Sequence, residues 1–161
     1  MVEYSERFLL SKAFGPHVLI CTYTGIRTVE VEKIRKYDLQ CLDAKTNERF
    51  EPPKTAVMFA IKADTLNTVK AGIRIDKDVK ARNLRTAVKR KDRPKVLTKE
   101  TLDRGLNRDV RLVMRSGHVL RGVLSDHSRY NLVLNINGAV VLVYQHGVLE
   151  YSVTPLPTET T

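Results

Sequence analysis

Ala139-Val140-Val141-Leu142-Val143-Tyr144 is the stretch on which the reading of this 161-residue chain turns. A strand alternates its side chains between two faces, and this one is apolar at both parities, so both faces need cover. Working outward, Asn137-Gly138 just before it is the strongest short hairpin signal a sequence offers, and Tyr130 to Ile136 is the strand that enters that hairpin. His118 to Leu124 precedes it, after a Ser116-Gly117 turn, and Val110-Arg111-Leu112-Val113-Met114-Arg115 sets Val110, Leu112 and Met114 on one parity. Beyond Gly147, Val148 to Val153 makes a closing strand that stops at Pro155 and Pro157. Five short strands of this size cannot cover both faces of an apolar edge by themselves. The expectation is edge-to-edge pairing with further copies of the module.

The same pattern stands upstream. Tyr4 to Ala13 is a candidate helix stopped by Gly15-Pro16, followed by strands at Val18–Tyr23, Ile26–Ile34, Tyr37–Leu42 and, after Phe50 and Pro52-Pro53, Ala56–Ile61. Register supports a duplication: Val18, Ile20 and Gly25 match Val110, Leu112 and Gly117 at an offset of 92, Tyr37 matches Tyr130 at 93, and Lys54-Thr55-Ala56-Val57 matches Gln145-His146-Gly147-Val148 at 91. A second helix is expected after Thr98, a plausible N-cap, with Leu102 and Leu106 four apart. The chain therefore reads as mainly β: a first module over 1–64, a linker over 65–96, a second module over 97–154 and a tail over 155–161.

Charge singles out the linker. The whole chain has 28 Lys+Arg against 18 Asp+Glu, a net of +10. Residues 65–96 hold 11 of the bases and 3 of the acids, which leaves each module near neutrality. Such an excess suits a polyanionic partner, nucleic acid or a membrane surface. Asp76 to Asp92 is a candidate basic helix with acids at its start and Lys89, Arg90, Lys91 and Arg93 at or beyond its end. Two readings of the segment stay open: a solvated tether, or a basic arm that orders on nucleic acid.

No apolar run reaches the roughly 20 residues of a spanning helix, and the acidic start Met1-Val2-Glu3-Tyr4-Ser5-Glu6 is unlike a signal peptide, so a cytoplasmic protein without membrane contact is expected. Cys21 and Cys41 lie in apolar runs and read as buried thiols. His118 and His127 show no metal spacing and read as solvent-facing. Neither a nucleophile with its base nor a convergent carboxylate pair is present, so no enzyme, cofactor or metal is expected.

A short helix, a strand ending in a polar residue and Gly, a second Gly five residues on, an aromatic eight residues beyond, and a closing run of the kind Val143-Tyr144-Gln145-His146-Gly147-Val148 resemble the plan of the Sm-like (LSm) family, in particular the bacterial RNA chaperone Hfq. The second module follows it with Ser116-Gly117, Gly122 and Tyr130, and the first keeps Thr24-Gly25-Ile26, Tyr37 and Pro53 to Val57 without the second Gly. The resemblance implies two tandem small five-stranded, strongly bent barrels, each preceded by a short helix, whose outer strands join neighbours into a ring that binds single-stranded RNA. It implies base stacking on Tyr37 and Tyr130 and polar contact through Lys54, Thr55, Gln145 and His146, the positions of the family's Lys-His pair. Rim cations would be Lys12, Arg104 and Arg108, while Cys21 and Val113 stand where the family's adenine-binding face has Tyr.

The expected function is capture of uridine-rich single-stranded RNA by a homo-oligomer, with an RNA-chaperone role in post-transcriptional regulation. Two arrangements stay open: three chains closing a six-module ring, or each module building its own ring with the basic segment joining the two. The competing readings are an Sm-like assembly module that binds a protein partner, touching RNA only through the basic linker, and an anionic-surface binder driven by the linker alone.

Overall fold

The computed structural model describes residues 5–85 and 97–155. Its strands are β1 (Val18–Thr22), β2 (Gly25–Ile34), β3 (Leu39–Asp43), β4 (Arg49–Phe50), β5 (Val57–Lys62), β6 (Ile73–Ile75), β7 (Asp109–Met114), β8 (His118–His127), β9 (Asn131–Ile136), β10 (Ala139–Tyr144) and β11 (Val148–Val153). They form one open, antiparallel sheet in the order β11-β7-β8-β9-β10-β5-β1-β2-β3-β4, with β6 added beside β8. The mainly-β reading stands. The strands of the two expected modules, however, hydrogen-bond into a single sheet.

The two halves of the chain share features of strand geometry. The long strands β2 and β8 each have ten residues and each carries an irregularity at the same place, between Val31 and Lys33 and between Leu124 and Asp126. Both closing strands slip once against their partner, at Met58 in β5 and at Leu149 in β11. The β9–β10 hairpin turns through Asn137 (φ 53°) and Gly138 (φ 91°), the left-handed pair that the Asn-Gly dipeptide foretells.

The cover that β10 demands comes from inside the chain. Val141, Leu142 and Val143 pair with Ile61, Ala60 and Phe59 of β5. Val141 and Val143 belong to a core with Leu19, Met58, Leu112 and Leu134, whereas Leu142 and Tyr144 belong to another with Leu9, Leu10, Ile20 and Ala60. Each core thus draws on both repeats. Gly147 sits at this seam, where a Cβ would come within 2.8 Å of Met58 Sδ, so a larger residue would have to displace the ends of the Met58 and Met114 side chains.

Helices pin the ends. Ser5 caps a helical turn, α1 (Glu6–Phe8), that continues as a π-helical turn (Leu9–Ala13) and buries Leu9 and Leu10. Thr98 Oγ1 accepts from Thr101 N (3.1 Å) and caps α4 (Lys99–Gly105), as its side chain predicts.

Two expectations are corrected. The described part of the 65–96 segment is folded: α2 (Leu66–Val69) buries Val69, β6 pairs with β8, and α3 (Lys77–Ala81), capped by Asp76, lays Val79 on Val113 and Val119. The helix expected over Asp76–Asp92 ends at Ala81, where Asn83 turns left-handed (φ 52°). Val79 and Leu84 explain the folding of this part, since both find a sheet to pack on.

The two histidines are also not solvent-facing. His127 has a side chain only 11% exposed and its Nε2 lies 2.7 Å from Asp103 Oδ1 of α4. His118 sits at the seam, Nδ1 2.8 Å from Ser116 Oγ and its ring edge-on to Phe59 at 5.5 Å. Both hairpin ends are covered by elements distant in sequence, which period-two patterning does not reveal.

Candidate nucleic-acid interface

The two matched tyrosines occupy equivalent places. Each lies in the turn after a long strand, and each carbonyl accepts from the residue that opens a 3-10 turn: Lys54 N to Tyr37 O (2.8 Å) and Gln145 N to Tyr130 O (2.9 Å). These turns, Lys54–Ala56 and Gln145–Gly147, lead into β5 and β11. Because β10 and β5 are paired, the turns lie against one another, with Cα atoms within 8 Å. Tyr37 is 73% exposed and Tyr130 55%, unusual for large aromatic side chains in a molecule that buries Tyr144 to 2%. A cation stands over each ring, Lys36 Nζ at 5.2 Å from the Tyr37 centroid and Arg129 Cζ at 5.3 Å from that of Tyr130.

The polar residues beside them are arranged differently in the two repeats. Lys54 Nζ forms an ion pair with Glu6 Oε1 at 2.7 Å, the side chains only 18% and 17% exposed. The Tyr144 hydroxyl donates to Glu6 Oε2. Burial first, and then the Glu6 charge, push the Tyr144 phenol well above its usual range, so it stays a donor. One carboxylate from α1 thereby ties the Lys54 turn of the first repeat to the end of β10 in the second. Gln145 instead turns back to the backbone, its Nε2 donating to Ser128 O and Asn131 O. His146 is half-buried, its ring 5.7 Å from that of Tyr144, and Thr55 is half-buried in the other turn.

Of the expected rim cations, Lys12 is exposed on the π-helical turn, Arg104 is exposed and pairs with Glu100 at 2.9 Å, and Arg108 is half-buried with Nη2 donating to Thr154 O. Lys89, Arg90, Lys91 and Arg93 lie outside the described residues. Cys21 and Val113 are both buried, Cys21 with its Sγ 3.5 Å from His118 Nδ1 and Val113 under α3. Burial pushes the thiols of Cys21 and Cys41 up to about 12. Among the described residues no His, Cys, Asp and Glu group is placed to hold a metal ion.

Three residues escaped the sequence reading. Lys36 and Arg129 were legible as a basic residue before each matched tyrosine. Glu6 was not, because its partners are 48 and 138 residues away. Together the site offers two exposed aromatic surfaces, two cations over them and backbone-fixed turns between, an arrangement that can stack unpaired bases and neutralise phosphate. No protein-family model, no curated protein and no solved structure matches the chain.

Proposed function

We propose that the chain is an RNA-binding protein of Sm/Hfq-like type, two tandem Sm-like modules that stack single-stranded, uridine-rich RNA on Tyr37 and Tyr130. The observation that carries this reading is the repeated tyrosine turn: two large, exposed rings at matched positions, each bonded through its backbone to a 3-10 turn, the two turns brought together by the β10–β5 pairing. Exposed aromatics with cations over them suit bases and phosphates, and the net charge of +10 suits a polyanion. A role in bringing RNAs together would follow from such binding.

The apolar edge that asked for a second copy is β10, and β5 of the same chain already occupies it. The binding unit proposed is accordingly one chain with two adjacent, non-identical sites, and a ring is not needed to bring two sites together. Binding of oligo-U, oligo-A and a mixed-sequence RNA, at several salt concentrations, tests the reading. Loss of uridine preference in Tyr37→Ala and Tyr130→Ala supports it. Equal binding of all three RNAs, unchanged in both variants, favours an assembly module that touches RNA through the basic segment alone.

A further inference from the structure

The family plan places the phosphate-binding cation in the turn that follows the apolar-Tyr run, at Lys54 and Gln145 here. Neither residue is available for that work. Gln145 is neutral and hydrogen-bonded to Ser128 and Asn131. Lys54 is held by Glu6, and drawing it out toward a phosphate would leave that carboxylate with only the Tyr144 hydroxyl, in a place where both acid and base are under one-fifth exposed. Separating one partner from such a part-buried pair is unfavourable, because water reaches the remaining charge only in part.

Two other cations stand in the right place. Lys36 and Arg129 each immediately precede a matched tyrosine, each is exposed, and each lies over the ring at nearly the same distance, 5.2 and 5.3 Å. Among the described residues neither forms an ion pair with a carboxylate, whereas the nearby Arg35 is engaged by Glu51 at 3.3 Å and Asp38 at 3.8 Å. The backbone places them alike in two repeats whose sequences otherwise differ at the site. A nucleotide stacked on the ring presents its phosphate at the edge of the base, where a long flexible cation from the adjoining residue can meet it.

Resting on the RNA reading above, we infer that Lys36 and Arg129 are the phosphate-contacting residues of the two sites, and that Lys54 is a positioning residue which, with Glu6 and Tyr144, fixes the two turns against each other. The site has moved its cation from behind the tyrosine to in front of it.

The test is the salt dependence of oligo-U binding by the full chain. For single strands the slope of log affinity against log salt changes by about 0.7 for each phosphate contact, so Lys36→Gln/Arg129→Gln should flatten it by about 1.4 and keep the uridine preference. Glu6→Gln/Lys54→Met, which replaces the half-buried pair with uncharged side chains, should leave the slope as it is. Thermal melting identifies any variant whose fold has changed, and the exposed Lys36 and Arg129 positions are not expected to alter it. An unchanged slope in the Lys36/Arg129 variant, with Tyr37→Ala and Tyr130→Ala still abolishing uridine preference, overturns this inference and spares the RNA reading. A flatter slope in the Glu6/Lys54 variant overturns it as well, by assigning the contact to Lys54. If the tyrosine variants bind RNA as the parent does, both the reading and the inference fall.

Discussion

The same slot in the two repeats is filled by opposite chemistries. In the second repeat it is β10, Ala139–Tyr144, apolar at both parities and paired on both edges, to β9 and to β5. In the first repeat, at an offset of 91, it is Glu48-Arg49-Phe50-Glu51-Pro52-Pro53, which yields only the two-residue β4, paired to β3 alone. Charge and proline blunt an edge, because proline brings no N–H and charged side chains resist being covered. Stretches at corresponding offsets thus form an internal seam in one half and an outer margin in the other. One repeat's strand joins the halves of the chain, and the other repeat's strand ends the sheet.

The largest effect expected from breaking that contrast is at the seam. Leu142 is fully buried between the repeats, and Leu142→Ala should cost about 2–5 kcal/mol, seen in a thermal melt as one cooperative transition moved down, since both cores draw on both repeats. Phe50→Ala, at the margin, should cost clearly less, because Phe50 is only half-buried. Two separated transitions in the Leu142 variant would show that the halves fold independently.

Next is the carboxylate that bridges the repeats. Glu6→Ala leaves the Lys54 ammonium and the Tyr144 hydroxyl without their shared acceptor and should cost about 3 kcal/mol, while Tyr144→Phe removes one bond to a charged group and should cost about 1.5–3 kcal/mol. Denaturant unfolding checks both. If Glu6→Ala matches the parent, the tie between α1 and β10 is ornamental.

The tyrosines compare the repeats as binding sites. Each of Tyr37→Ala and Tyr130→Ala should lose about 1–3 kcal/mol of oligo-U binding, roughly five- to 150-fold, with little change in melting temperature because both rings are exposed. A large loss from one and none from the other would assign binding to a single repeat.

The smallest effect is on alkaline stability. Burial raises the Cys21 and Cys41 thiols from 9.0 to about 12. A raised folded-state value means that their contribution is fully present below pH 9 and is lost as pH climbs from 9 toward 12, where the unfolded chain releases protons and the folded chain does not. Burial of the Tyr144 phenol acts in the same direction above pH 10. His118 works at the opposite end: burial lowers its value from 6.5, so its contribution is present above that pH and fades as acid protonates the unfolded chain first. Cys41→Ala should therefore flatten the alkaline limb of a stability–pH curve and His118→Gln the acid limb below 6.5.

Much of this was legible in the residues. Alternation at Val110, Leu112 and Met114, the Asn137-Gly138 turn and the cap at Thr98 are local signals, and local geometry obeys them. At positions 91 to 93 apart the structure has similar strand irregularities and similar tyrosine turns. What failed were statements about cover. His118, at a hairpin end and without metal spacing, reads from the sequence as solvent-facing, yet Phe59 and Cys21 of the first module lie beside it. The basic segment was read as tether or arm because charge dominates it, yet Val69, Val79 and Leu84 were enough to fasten its first part.

The sequence by itself determined the strand pattern from Val110 to Val153, the Asn137-Gly138 hairpin, the register offsets between the two halves and the apolar strand that must be covered on both faces. These depend on the period of a strand, on turn chemistry and on register, which a chain carries residue by residue. Only the tertiary structure decided who covers β10, that Glu6 takes Lys54, and that the two tyrosine turns lie side by side. Those outcomes depend on which distant surfaces meet, and the β10–β5 pairing that brings them together is a contact between residues about 80 positions apart.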